Sequence, residues 1–188
     1  MLTLQSKSQA WIGLALILLM AVTRGHHFAS IDHLPSASWA VFFLAGVYLK
    51  PLWSLPLLLL EAFLLDFAAV TWGGVSNFCI SPAYVMLVPA YAALWGAGRF
   101  YARLHQLQWH TIFRLAACVL VGALVCQVIS SGSFYYFSGR FAEPTLMEFI
   151  ERLVKYTPRQ LEGISFYIAI AYALQMMFGR AITLQKRA

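Results

Sequence analysis

Cys79 is the residue of this chain with the sharpest chemical character. It follows Gly73-Gly74 and precedes Pro82, in a stretch with the composition of a loop. As a thiolate, cysteine is a soft ligand suited to polarisable metal centres; the plainer reading of a lone cysteine is a buried thiol. Three of the five histidines, His26, His27 and His33, fall within eight residues. Adjacent rings on a helix diverge, so His26-His27 is no two-histidine clamp, but one ring can act as a single ligand or hydrogen-bond donor. The ordinary alternative is a histidine pair at a helix end, where cations are favoured. Cys118 and Cys126 sit among Ala, Val and Leu in an apolar run and read as packing residues.

Two carboxylates, Glu61 and Asp66, interrupt one long apolar segment. An ionisable group in such a run is costly and marks a functional site by default. Being five apart, the two side chains do not stack on one helix face. Asp66 lies about a turn and a half from the end of the segment, within reach of a pocket there, and is read as functional. Glu61 is deeper and is read as a protonated carboxyl bonded to a neighbouring helix.

The elements that must position these residues follow from composition. Of 188 residues, 61% are apolar and 11% charged, too few charges to cover a soluble domain. The net charge of +6 does not indicate nucleic acid, because the cations sit at the ends of apolar runs. The expected fold is all-α: a single six-helix transmembrane domain over residues 1–188. Apolar segments run from about Ala10 to Thr23, Ser38 to Leu49, Leu52 to Trp72, Pro82 to Tyr101, Thr111 to Ser130 and Gln160 to Ile182. The first two are short for a crossing, so their ends are expected to extend into the polar flanks. Pro144 to Tyr156 reads as an amphipathic interfacial helix, broken by Pro158 before the last span. The start is read as a helix rather than a cleaved signal, since no small-residue cleavage site follows it.

With both termini cytoplasmic, the inner side holds Lys7, Lys50, Arg99, Arg103, Arg114, Arg180, Lys186 and Arg187, and no Asp or Glu. The outer side holds five cations mixed with Asp32, Glu143, Glu148, Glu151 and Glu162. That imbalance sets the orientation. Three outer loops, Arg24 to His33, Thr71 to Pro82 and the one beginning Ser130 to Arg140, then collect glycines, hydroxyls, amides and aromatics. Such a mixture suits a large ligand with an apolar body and a polar edge, and suits equally an interfacial aromatic belt. No metalloprotease, phosphate-loop or serine-elbow motif is present, so nothing here is built to bind ATP.

In order and spacing, His26-His27 after the first helix, Asp66 in the third, the Gly73-Gly74-to-Cys79 loop and Tyr84 opening the fourth resemble one group of proteins. They resemble the BtuM family, solitary cobalamin transporters of Gram-negative bacteria related to the substrate-binding S-components of energy-coupling-factor transporters. The resemblance runs along nearly the whole chain. It implies vitamin B12 uptake across the bacterial inner membrane, with the corrinoid held at the periplasmic side. It implies that Cys79 ligates cobalt, that His27 lies near the cobalt, and that Asp66 and Tyr84 line the same cavity. Thiolate ligation weakens the bond to the ligand opposite, so Cys79 is expected to assist removal of cyanide from cyanocobalamin. One departure is the first helix, where Leu14 and Leu19 follow Ala10 and Ala15 and no AxxxA pattern for docking an energising module exists. The expected partners are therefore cobalamin and the lipid bilayer, with no ATPase module required. The alternatives are a membrane haem or quinone protein using the outer-loop histidines, and a membrane enzyme pairing Cys79 with His27.

Overall fold

The computed structural model describes residues 6–24, 34–74, 81–105 and 110–185, the last eight of these and His110 by backbone alone. His26, His27, Asp32, His33 and Cys79 lie outside the described residues. Among the described residues the secondary structure is helical, as expected. The helices are α1 (Ser6–Arg24), α2 (Ser38–Tyr48), α3 (Ser54–Thr71), α4 (Leu87–Leu104), α5 (His110–Phe137) and α6 (Leu146–Gln185), with a short 3-10 helix at Pro82–Met86. By length and composition, α1, α3 and residues Thr111–Phe137 of α5 are apolar and long enough to cross a membrane. Their outward faces are apolar too: Trp11, Phe63, Phe113 and Val121 are all exposed. Such a surface is stable against lipid tails rather than water.

α2 is the innermost element. Its residues from Ser38 to Val47 are buried almost without exception, as befits a helix that is apolar all round. Its seat on α4 depends on two glycines. A Cβ on Gly46 would meet the Trp95 carbonyl oxygen at 2.1 Å, and one on Gly98 would meet that of Phe43 at 2.0 Å. Each backbone therefore lies directly on the other, the close approach that small residues allow between apolar helices. Tyr91, Leu94, Gly98 and Tyr101 form the buried stripe of α4, and Phe42 stacks on Tyr91 at 4.4 Å between ring centroids.

Three expectations about element ends need correction. α1 does extend into its polar flanks, from Ser6 to Arg24, but α2 stays at 11 residues, about 16 Å long. Leu49 is extended (φ −97°, ψ 116°), and Pro51 disfavours helix at Lys50. The stretch from Ser130 to Phe137 is helix rather than loop. Its serines bond within their own helix, Ser133 Oγ to the Ser130 carbonyl at 3.0 Å and Gln127 Nε2 to Ser131 Oγ at 2.9 Å; the chain turns only at Gly139, φ +69°. Finally, Pro158 lies inside a 40-residue α6 and does not break it. A proline removes one backbone bond, here the one to the Val154 carbonyl, and helical segments on both sides can carry the chain through.

Hydrogen bonds sort the helix ends into two groups, so that each helix runs opposite to the one before it. At one end, Arg99 Nη2 donates to the carbonyls of Leu49 and Lys50, Arg114 Nη1 to that of Leu104 at 3.0 Å, and the Lys50 amide to Gln9 Oε1. These cations answer the unpaired carbonyls where α2 and α4 end. At the other end lie Arg24, Ser38, Asp66 and Tyr84.

Candidate functional site

Asp66 repeats the register of Leu58 and Ala62, both buried against the bundle, so its carboxylate is directed inward. Arg24 is the last residue of α1 and continues the buried series Leu16, Met20. The two meet in a two-pronged ion pair, Nε to Oδ1 and Nη2 to Oδ2, each 2.7 Å. The remaining nitrogen, Nη1, donates to Ser38 Oγ at 2.9 Å and Tyr91 Oη at 3.0 Å. Tyr84 Oη donates to Asp66 Oδ2 at 2.7 Å. The network therefore ties α1, α2, α3, the 3-10 helix and α4 together. The Arg24 side chain is 10% exposed and that of Asp66 27%; a fork of this geometry in a low-dielectric setting is among the stronger polar contacts available.

Asp66 and Tyr84, which the resemblance assigned to one site, are thus in direct contact. Sequence reasoning missed Arg24, Ser38 and Tyr91. A signal existed for Arg24: a carboxylate in an apolar span needs a cation at its own depth, and Arg24 stands at the matching end of the first span. Ser38 and Tyr91 carried no such signal.

The network sits where two segments leave the described bundle. Arg24 directly precedes residues 25–33, which contain His27, and Gly74 directly precedes residues 75–80, which contain Cys79. The return from the first segment is also fastened. The Ala37 amide donates to Thr23 Oγ1 at 3.1 Å, and Tyr167 Oη of α6 donates to the Pro35 carbonyl at 2.6 Å. Gly73 and Gly74 end α3. The Gly73 amide bonds back to the Ala69 carbonyl at 3.0 Å, and a Cβ there would lie 2.7 Å from that same oxygen. Gly74 takes φ +66°, the left-handed conformation that stops a helix without strain.

A cavity of about 260 Å³ with mixed polar and apolar walls lies between α2, the start of α4, α5 and α6. Its walls include Trp39 and Leu87 from the helices that carry Ser38 and Tyr91, and Gln127, Ser130, Arg152 and Gln160 from α5 and α6. Arg152 is held by rings, its guanidinium carbon 4.8 Å from the Phe141 centroid and 5.6 Å from that of Tyr135. Tyr135 and Tyr136, read as part of an outer loop, pack on each other at 5.1 Å, and Tyr135 also packs against Phe141 at 4.7 Å and Phe149 at 6.0 Å.

Glu61 departs from expectation. Neither of its carboxyl oxygens, both buried, has a hydrogen-bond partner; its neighbours one turn away along α3 are Leu57, Leu58, Leu64 and Leu65, which offer no donor. Cys118 and Cys126 are buried free thiols, as expected. His105 lies at the opposite end of the bundle, its Nδ1 3.0 Å from Tyr101 Oη. Among the described residues, no three His, Cys, Asp or Glu side chains gather as for a metal ion. No protein-family model matches this chain, and no curated protein matches it.

Proposed function

We propose that the chain is a multi-pass protein of the bacterial inner membrane that binds cobalamin at the Arg24–Asp66 end and carries it inward. The observation that carries this reading is the Tyr84–Asp66 hydrogen bond within the Arg24 network. It lies at the root of both segments that hold the two cobalt-directed residues, His27 and Cys79. Asp66 spends three acceptor contacts on Arg24 and Tyr84, so until the cargo enters its part is to hold the ends of α1 and α3 together. The cavity between α2, α4, α5 and α6 is too small for a whole corrinoid; with amides, hydroxyls and Arg152, it suits one polar edge of a large ligand. In this reading the chain crosses the membrane six times, the short α2 completing its crossing with the non-helical residues on either side of it, termini inside, and the cation-rich Arg99 end faces the cytoplasm.

The chemistry assigned to Cys79 is ligand exchange without change of oxidation state. The benzimidazole nitrogen of cyanocobalamin leaves cobalt and a cobalt–sulfur bond forms in its place, the cobalt–cyanide bond on the opposite face breaks, and cyanide leaves with the thiol proton as hydrogen cyanide. The visible spectrum of cyanocobalamin mixed with purified protein tests this step; the wild type should change it and Cys79→Ser should not. An unchanged wild-type spectrum rules the step out. Cargo and autonomy are tested by growth of a vitamin-B12-dependent strain lacking its importer. Rescue by this gene alone, without an added ATPase, is expected, and failure to rescue counts against the proposal.

A further inference from the structure

Glu61 is unused by the site described above, yet among the described residues it is a carboxylic acid with both oxygens buried and unbonded. Both its carboxyl oxygens are shut away and unpartnered, midway along the apolar helix α3. A charged carboxylate left in that state is strongly disfavoured, so the form the site accommodates is the neutral acid. The elements packed on α3 are α1, α2 and α4. From α1 the facing charge is Arg24, neutralised by Asp66. From α4 it is Tyr91, which accepts from Arg24, and the 3-10 helix brings Tyr84. α2 supplies no charged group, its one titratable side chain being Tyr48, bonded to Gln175 on α6.

Position along the α1–α3 seam gives this buried acid a direction. A groove of about 360 Å³ opens between α1 and α3 at the end opposite Arg24. Its walls are mostly apolar, with Ser6, Gln9 and Ser54 among them, and it reaches Ile17 and Leu57. Leu57 is one helical turn before Glu61, and Ile17 two turns before Arg24. Glu61 thus stands between the groove and the Arg24–Asp66 pair, on the seam that joins them.

We infer that Glu61 is a proton-binding site through which transport is coupled to the proton gradient, an inference that rests on the transport reading above. Its occupant is a proton rather than a sodium ion. A hard cation needs several oxygen ligands, and among the described residues no other polar atom is bonded to this carboxyl. When Arg24 releases Asp66 as the cargo enters, its charge becomes available to a Glu61 carboxylate, and the proton leaves toward the groove. Re-forming the Arg24–Asp66 pair withdraws that charge and calls the proton back from the Arg24 end.

Two measurements on the full chain test this. Infrared difference spectra of the protein in vesicles, taken on raising pH, should show loss of a protonated-carboxyl carbonyl band that Glu61→Gln lacks. No such band in the wild type, or the same band in E61Q, overturns the proton site whatever the cargo is. In proteoliposomes, an acid-outside gradient should speed cyanocobalamin entry several-fold in wild type and not in E61Q, which should still bind cyanocobalamin. A wild type indifferent to the gradient, an E61Q that still responds, or a sodium gradient that substitutes for protons overturns the coupling. Absence of cyanocobalamin entry under every gradient removes the coupling together with the transport reading, while the infrared band still decides the site. Glu61→Leu guards against a folding artefact, because nothing bonds to the carboxyl and this variant should keep wild-type thermal stability.

Discussion

Arg24 and Asp66 face each other as a fork on a carboxylate, with two contacts of 2.7 Å between residues 42 positions apart in sequence. The pair joins the last residue of α1 to the final third of α3, and Ser38, Tyr84 and Tyr91 are bonded to its members. Removing Arg24 alone strands the Asp66 carboxylate. Arg24→Ala should therefore cost about 3 kcal/mol, less where water reaches the quarter-exposed carboxylate. The double variant Arg24→Ala/Asp66→Ala should lose less than the sum of the singles, read as thermal unfolding in detergent. Strict additivity would show that the pair does not hold this end together.

The Tyr84 hydroxyl donates one hydrogen bond, to Asp66, and takes part in no other described one. Tyr84→Phe should lower stability by only about 1 kcal/mol while weakening cyanocobalamin binding more than that loss explains, because the carboxylate is freed to move. Titration of visible absorbance in the two proteins distinguishes this from a purely structural role, in which binding would be unchanged.

The α2–α4 seat tolerates no side chain at Gly46 or Gly98. A Cβ at either would fall about 2 Å from a backbone oxygen, which cannot swing away as a side chain can. Gly98→Ala should destabilise by about 1–3 kcal/mol. Gly96→Ala, where a Cβ would meet nothing within 4 Å, serves as the matched control and should be neutral or slightly stabilising.

Pro158 offers a test of α6 as one helix. Inside a helix a proline costs up to about 3 kcal/mol, so Pro158→Ala should raise the unfolding temperature and slow amide exchange just before it. If the chain instead broke there, proline would stand at a favoured first position and its removal would not help.

His105 supplies a pH dependence. Burial lowers its pKa from the ordinary 6.5, so the unfolded chain binds the proton more readily than the folded one. Stability should fall as pH drops through the ordinary value and level off below the lowered one. His105→Gln should flatten that slope in melting curves recorded at several pH values.

Periodicity and composition by themselves determined that this is an all-helical chain with apolar, lipid-compatible faces, because burial in lipid leaves few other backbones that satisfy their own hydrogen bonds. They also marked Asp66 as exceptional, since a carboxylate in an apolar run carries its own cost wherever it sits. What they could not supply was its partner. Arg24 reads in sequence as one more cation at a helix end, and Tyr91 as one more aromatic in an apolar stripe. Only packing α1, α3 and α4 side by side brings a fork, a carboxylate and a phenol to the same depth. Glu61 shows the converse. The sequence reading supplied it with a partner on another helix, and among the described residues none bonds to it. Whether a buried polar group is answered depends on which side chains of other helices stand opposite it, and that is a property of the packed bundle alone.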